Sequence, residues 1–423
     1  MPGARSLIRP AKLGPDPATV VRTIFARRLA PDGPAPVAVA VSGGGDSLAL
    51  LLLAADWARD AGRRLLVLSV DHGLRAEGAQ WSARVGENAA ALGADFHALS
   101  WAGEKPRTGL PAAARAARHA LLADAAREAG ARVIAMGHTA DDLAESALMR
   151  AEGSTNPDPR EWSASPAWPQ GRGVFILRPL LSVRRGALRD LLAARGADWI
   201  EDPANIDLTY ARARARKQLA GALPPAAKAP KASDAEPVIF HTDPASGEIV
   251  LARNASSLAI AAACLCAAGT DRPPRGAKLA RLTERLAERQ DFVATLAGAR
   301  IEAVGERVRI CRDAGETARG GLAPMALTPC ATTVWDGRYE LTTATRGLSV
   351  RPLKGLAARL SPVEKQRLLT LPVSARAGLP AVVNLSGTMI CPILAETSDV
   401  RIRVLSGERF GAAIGLVDSE SRA

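Results

Sequence analysis

A chain of 423 residues exceeds what one hydrophobic core ordinarily serves, so two or three domains are expected. A 48% hydrophobic share beside 23% charged residues describes a globular protein; the longest apolar run, Leu48 to Ala55, falls far short of the ~20 residues that cross a bilayer, which excludes a spanning helix. The formal net charge of +12 and pI near 10.1 point to a polyanionic partner, nucleic acid before membrane, with a solvated arginine-rich surface as the alternative.

Val37 to Val41 is a short β-branched run that reads as a buried parallel strand. Ser42-Gly43-Gly44-Gly45-Asp46-Ser47 then leads into a helix from Leu48 to Ala61, stopped by Gly62. Next come a strand at Leu65 to Val70, the loop Asp71-His72-Gly73-Leu74-Arg75, and a helix near Ala79 to Leu92. A strand at Asp95 to Ser100 precedes a long alanine-rich helix, Leu110 to Ala129, closed by Gly130. Arg132 to Gly137 is strand-like again, and a helix runs from about Thr139 to Arg150. This alternation predicts an α/β, Rossmann-like parallel sheet with helices on both faces. Ligands of such sheets bind beyond the strands' carboxyl ends, where Ser42, Asp71, His72 and His138 all fall.

Glu152 to Arg172, rich in Pro, Ser, Gly and Trp, reads as a long, mainly irregular loop of the kind that is functional or mobile. A strand at Val174 to Leu177, the tetrapeptide Arg178-Pro179-Leu180-Leu181 and a helix near Arg185 to Arg195 follow. Tyr210 to Leu219 is a basic helix carrying Arg212, Arg214, Arg216 and Lys217. The first domain is therefore expected at residues 1–222, with a Pro- and Ala-rich linker at 223–237. A small α/β middle domain is expected at 238–314, with helices at Ser256 to Ala268 and Ala277 to Arg289 and strands at Val293 to Ala303 and Arg307 to Arg312. Gly315 to Pro324 reads as a second break. A small, mostly β domain is expected at 325–415, with an amphipathic stretch at Ser361 to Leu369.

Met1 to Gly14 contains no apolar h-region, so no signal peptide is expected. Five cysteines (Cys264, Cys266, Cys311, Cys330, Cys391) are an odd number for a disulfide scaffold, and Cys264-Leu265-Cys266 lacks the spacing and the histidine of a zinc set. Reduced thiols in a cytoplasmic enzyme are the simplest account.

The chemistry starts at the glycine triplet. At a strand-to-helix junction, Gly43, Gly44 and Gly45 let backbone N–H groups converge on an anion, aided by the helix dipole. A P-loop is ruled out because no lysine follows the glycines; Asp46 stands there instead. A carboxylate beside phosphates is repulsive unless Mg²⁺ lies between them, so Asp46 points to a metal–nucleotide site. The alternative is a turn in which Asp46 or Ser47 merely caps a helix. The second signal is Gly137-His138-Thr139-Ala140-Asp141-Asp142-Leu143-Ala144-Glu145-Ser146. Asp141 and Glu145 are i and i+4, and Asp142 and Glu145 are i and i+3. Dipole partnership explains one such carboxylate comfortably and three less well; with His138 they could bind Mg²⁺ or an amine. Arg115 and Arg118, i and i+3 on the long helix, are either solvated or an anion clamp. His72 and Arg75 receive the same reading. Asp202-Pro203-Ala204-Asn205 is an Asx turn or an edge facing nucleic acid.

In this order, SGGGDS, DHGLR, the R-x-x-R pair, GHTADDLAES, RPLL and DPANIDLTYARARAR resemble the tRNA(Ile)-lysidine synthetase family of the ATP-pyrophosphatase (PP-loop) superfamily. The motifs run from Ser42 to Arg216. Arg272-Pro273-Pro274 and Leu348 to Pro392 loosely resemble that family's later domains. The resemblance implies that ATP binds at Ser42, Gly43, Gly44, Gly45, Asp46 and Ser47, with Mg²⁺ at Asp46. It implies that O2 of the wobble cytidine of tRNA(Ile) with a CAU anticodon attacks the α-phosphate and releases pyrophosphate. The ε-amine of free L-lysine then displaces AMP at C2, giving lysidine. His138, Asp142 and Glu145 match the lysine-binding segment, Arg115 and Arg118 would stabilise negative charge, and Arg178, Arg212, Arg214 and Arg216 would face tRNA. A homodimer is left open. Departures are His119, where the family usually has tyrosine, Ser146 in place of threonine, and Ala151-Glu152-Gly153-Ser154-Thr155 in place of a glycine-rich segment. A tRNA-thiolating enzyme of the same superfamily is disfavoured because no cysteine precedes Cys264. The remaining alternatives are an amide-forming ligase, which leaves the basic charge unexplained, and a tRNA-binding protein with a vestigial nucleotide site.

Overall fold

The computed structural model describes residues 14–154, 158–203, 207–209, 211–219, 238–274, 276–315, 322–396 and 398–421. The linker-like 223–237 stretch, and Ala204, Asn205, Ile206 and Tyr210 of the last motif, lie outside the described residues. The chain divides into two compact units. The first comprises residues 1–165, 173–234 and 418–423, and the second residues 166–172 and 235–417.

The first unit carries α1 (Pro17–Arg28), β1 (Val37–Ala40), α2 (Gly45–Ala61), β2 (Leu65–Asp71), α3 (Gly78–Ala91), β3 (Asp95–Ser100) and α4 (Leu110–Glu128). It continues through β4 (Val133–Met136), α5 (Ala140–Ala151), β5 (Trp162–Ala164), β6 (Phe175–Leu177), α6 (Arg185–Ala194) and α7 (Ala211–Leu219). The strands form one sheet in the order β3-β2-β1-β4-β6-β5. All neighbours are parallel except β5, which runs antiparallel to β6 at the edge. Strand alternation explains the two-sided core. Val37, Val39, Leu65, Val67, Val133 and Ala135 join α1, α2, α3 and α6 on one face. Ala38, Leu66, Leu68, Ile134 and Met136 join α4 on the other. The order in which strands are added reverses between β1 and β4, so their carboxyl ends define the crevice where ligands of such sheets bind.

In the first unit two elements depart from the sequence reading. Helix α1 was not expected; it buries Val21 and Phe25, with Val20 and Ile24 packed against the same core, and Asp16 caps it by accepting from the Thr19 N–H at 2.9 Å. Part of the long loop is strand β5, held to β6 by the stacked rings of Trp162 and Phe175, 5.0 Å between centroids. The chain's closing segment also belongs to the first unit. Glu420 accepts the Ala30 N–H at 2.9 Å and pairs with Arg63 at 3.0 Å, both side chains almost fully buried.

In the second unit, strands 240–242, 249–252, 307–312, 299–304 and 292–296 form an antiparallel sheet covered by the helix Ser257–Ala268. The strand expected over Val293 to Ala303 is a hairpin: Ala297 and Gly298 both have positive φ, as tight hairpin turns require. Residues 325–404 supply a four-stranded and a three-stranded sheet. Arg338 is buried there, donating to Asp336 at 2.7 Å and to the Gly378 carbonyl at 2.8 Å, while Arg312 pairs with the same Asp336.

Candidate active site

Beyond β1 the chain enters the glycine loop, whose shape requires glycine at two places. Gly43 has φ +84°, and a Cβ on it would collide with the Ile200 side chain, whose own N–H donates to the Gly43 carbonyl at 3.0 Å. Gly137, after β4, packs so tightly on the loop that a Cβ would stand 2.8 Å from the Asp46 carbonyl oxygen. The two loops flanking the crevice are thus in backbone contact. Ser47 Oγ locks the turn by donating to the Gly44 carbonyl at 2.9 Å and accepting from the Ser42 N–H at 3.2 Å. Gly44 caps α2 with no side-chain hydrogen bond, which leaves first-turn N–H groups for an anion.

A carboxylate pole sits beside this loop. Thr139 starts α5, and Asp142 folds back to accept its N–H and its hydroxyl, each at 2.8 Å, as a capping box. Asp141 turns the other way and accepts the Arg185 backbone N–H at 2.8 Å, fixing the start of α6. Glu145, a turn further along α5 and almost fully buried, accepts from Arg216 at 2.9 Å and pairs with Arg212 at 3.4 Å. Arg185 joins all three acids: Nε donates to Asp46 Oδ2 at 2.9 Å, Nη1 to Glu145 Oε1 at 3.2 Å, and Nη2 lies 3.7 Å from Asp142 Oδ1. Burial raises the Asp46 carboxyl above its ordinary range although Arg185 pulls it down. For Asp142 burial also acts upward, but His138, Arg212, the Thr139 N–H and Arg185 outweigh it, and the carboxyl lies below its ordinary range.

The opposite pole is cationic. Arg115 and Arg118 have no ion-pair partner among the described residues. Burial, reinforced by neighbouring guanidiniums, pushes Arg118 and Arg178 down to about 10, so both stay charged at neutral pH. Burial and the same arginines hold His72, His119 and His138 below their ordinary value, hence neutral. Nδ1 of His72 and of His138 and both His119 ring nitrogens are buried without a hydrogen-bond partner. A small pocket opens here, with Arg115, His138, Ser146 and Arg212 on its wall. Together the poles form an amphoteric crevice: acids able to seat an ammonium or a metal, and arginines able to seat phosphates.

The structure brings Ser42, Gly43, Gly44, Gly45, Asp46, Ser47, His138, Asp142, Glu145, Arg115, Arg118, Arg212 and Arg216 to the carboxyl edge of the sheet. One tRNA-facing expectation needs correction. Arg178 is buried, its Nη1 donating to the Arg160 carbonyl at 2.8 Å and to Ser163 Oγ at 3.1 Å, so it braces β5 instead of facing a polyanion. Arg212 and Arg216 pair with Glu145 while their side chains stay 42% and 32% exposed, and the exposed Arg214 donates to the Leu208 and Thr209 carbonyls. Sequence reasoning missed Arg185 and Ile200. The signal for Arg185 was the Arg184-Arg185 pair two residues beyond RPLL; nothing in the sequence marks Ile200 as a lid on Gly43.

The family model for the PP-loop domain matches residues 17–223. The tRNA(Ile)-lysidine synthase of Caulobacter vibrioides is 51% identical over 407 residues, 95% of this chain and 98% of the relative. The chain belongs to the tRNA(Ile)-lysidine synthase family. Its counterpart from Ruegeria pomeroyi is 34% identical over 402 residues, covering 89% of this chain and 92% of the relative. Among solved structures, the U34-tRNA thiolase NcsA from Methanococcus maripaludis with its 4Fe–4S cluster aligns at TM-score 0.39 and 15% identity, covering 48% of this chain and 72% of that one. In this member of the lysidine synthase family all five cysteines lie in the second unit. Burial pushes the thiols of Cys264, Cys266 and Cys391 up to about 12 and that of Cys311 to about 11, which makes them inert as nucleophiles.

Proposed function

We propose that this enzyme joins free L-lysine to C2 of the wobble cytidine of tRNA(Ile) bearing a CAU anticodon, through an adenylated cytidine, releasing pyrophosphate and AMP. The observation that carries the reading is an anion loop after β1 beside a cluster of three carboxylates, Asp46 on α2 with Asp142 and Glu145 on α5, in one crevice. A nucleotide and an amine can meet there.

The Gly43–Gly45 amides and the α2 N-terminus hold the phosphates, leaving the α-phosphate accessible to the cytidine oxygen. Arg115 and Arg118, cations without carboxylate partners, take up the negative charge that builds as pyrophosphate leaves. Asp142 and Glu145 seat an ammonium of lysine. Amine attack requires a neutral nitrogen, whereas carboxylates favour the charged form. Burial and Arg178 hold His138 down to about 3, too weak a base to take that proton, so one carboxylate positions the lysine while another group accepts the proton.

Among the described residues no three His, Cys, Asp or Glu are grouped to hold a metal on their own. Mg²⁺ ordinarily takes one or two carboxylates with the rest from phosphate and water, and Asp46 beside the loop meets that need. When bound, Mg²⁺ would neutralise phosphate charge there. No helix among the described residues is long and apolar enough to cross a membrane, and we place the enzyme in the cytoplasm with its tRNA. The test is ATP–pyrophosphate exchange with tRNA(Ile) transcript and no lysine. Exchange that needs the CAU anticodon supports cytidine adenylation; exchange that needs lysine and not tRNA would point to amino-acid activation instead.

A further inference from the structure

Three carboxylates from two helices share one counter-ion. Asp46 comes from α2, Asp142 and Glu145 from α5, and the Arg185 guanidinium from α6 reaches all three at 2.9, 3.7 and 3.2 Å. The backbone of Arg185 is fixed independently, by its N–H on Asp141 at 2.8 Å and by the burial of Leu188 and Leu192 one and two turns later. The side chain can therefore leave the acids without unseating its helix. Glu145 also keeps Arg212 and Arg216, so the acid cluster retains counter-ions if Arg185 departs.

An ammonium seated on Asp142 and Glu145 would press against a guanidinium that uses the same acceptors. Like charges this close repel in a partly buried site, so the two cations compete for the same carboxylate oxygens.

We propose that Arg185 is an internal competitor for the lysine ammonium, neutralising the acid cluster in the free enzyme and swinging off it when the amino acid binds. This rests on the lysine-ligating reading above. A competitor of this kind weakens apparent affinity by the fraction of time that the acids are open, so a site open one time in about ten to a hundred binds about 10- to 100-fold more weakly than its bare acids would. It also adds selectivity, because a simple cation lacking further contacts to the site has nothing with which to displace a tethered one.

The experiment is equilibrium dialysis of radiolabelled L-lysine against the full chain with a non-hydrolysable ATP analogue, for the parent enzyme, Arg185→Met and Arg185→Lys. Arg185→Met should bind lysine at least about 10-fold more tightly, and guanidinium chloride at millimolar concentration should compete with lysine on this variant while barely affecting the parent. Arg185→Lys, whose compact ammonium cannot fork to three acids, should lie between the two. Circular dichroism melts identify a variant that fails to fold; if Arg185→Met is lost that way, Arg185→Lys decides alone. Equal or weaker lysine binding by the folded variants, or indifference of Arg185→Met to guanidinium, overturns the competitor and leaves the ligase reading standing. A parent enzyme that neither binds lysine nor forms lysidine overturns both.

Discussion

Gly137→Ala should cripple the nucleotide step by moving a loop that the substitution does not itself belong to. The added Cβ would meet the Asp46 carbonyl oxygen at 2.8 Å, the Asp46 carbonyl carbon at 3.0 Å and the Ser47 Cα at 3.1 Å. All three are backbone atoms at the start of α2, so no rotamer change relieves the contact, and the glycine loop must retreat by a few tenths of an ångström. Overpacking of this kind costs ~1–3 kcal/mol. In a unit of this size each kcal/mol lowers Tm by about 2–4 °C, so a fall of roughly 2–12 °C is expected. Catalysis should suffer beyond that, because a displacement of ~1 Å can cost ~10²-fold and a smaller one about 10-fold. The assay is tRNA-dependent ATP–pyrophosphate exchange beside a thermal melt on the same preparation. An alanine variant with parental exchange kinetics and parental Tm would refute the backbone contact between the two loops, and with it the geometry assigned to the crevice.

Asp46→Ala is expected to abolish cytidine adenylation while tRNA binding by filter retention stays near normal; robust adenylation would remove Asp46 from the site. Asp142→Asn and Glu145→Gln should raise the KM for lysine more than that for ATP, since each removes a charge-assisted contact to an ammonium, and equal losses for both substrates would indicate a structural role. Glu420→Ala should destabilise by ~3–5 kcal/mol, because it strands the buried Arg63, and a urea melt unchanged within error contradicts the pairing. Stability should also fall in acid. His119 and His138 have folded-state values below their ordinary one, so the unfolded chain binds the extra protons. Their contribution is fully present above pH ~6.5 and is lost as pH falls toward the depressed values, at up to ~1.4 kcal/mol per pH unit for each histidine. His119→Phe should flatten that limb between pH 5 and 7; the same slope in both proteins would show that His119 is not buried neutral.

The sheet was legible because each strand is a short apolar run closed by a polar loop, and strand alternation leaves little freedom about which residues face which helices. Asp95 to Ser100 is read correctly to the residue. The hairpin at Ala297 and Gly298 was not, because strand-compatible residues continue through a two-residue turn. The glycine loop and acidic helix were legible as motifs, but their division of labour was not. Asp141, Asp142 and Glu145 look alike in sequence, yet one starts α6, one caps its own helix and one anchors α7. Arg178 illustrates the opposite failure. In a basic chain an arginine after a strand reads as a contact for RNA, and only packing reveals that it braces β5. Likewise Glu420, far along the chain, carries no local sign that it closes on Arg63 of the first unit.

The most direct test of the central claim is the nucleoside composition of tRNA(Ile) with a CAU anticodon after incubation with this enzyme, ATP and isotope-labelled L-lysine. Digestion and mass spectrometry should find the label in a modified cytidine at the wobble position, one AMP and one pyrophosphate formed for each, and no product when the wobble base is changed. A thiolated nucleoside, or ATP turnover with no lysine in the tRNA, would contradict the account.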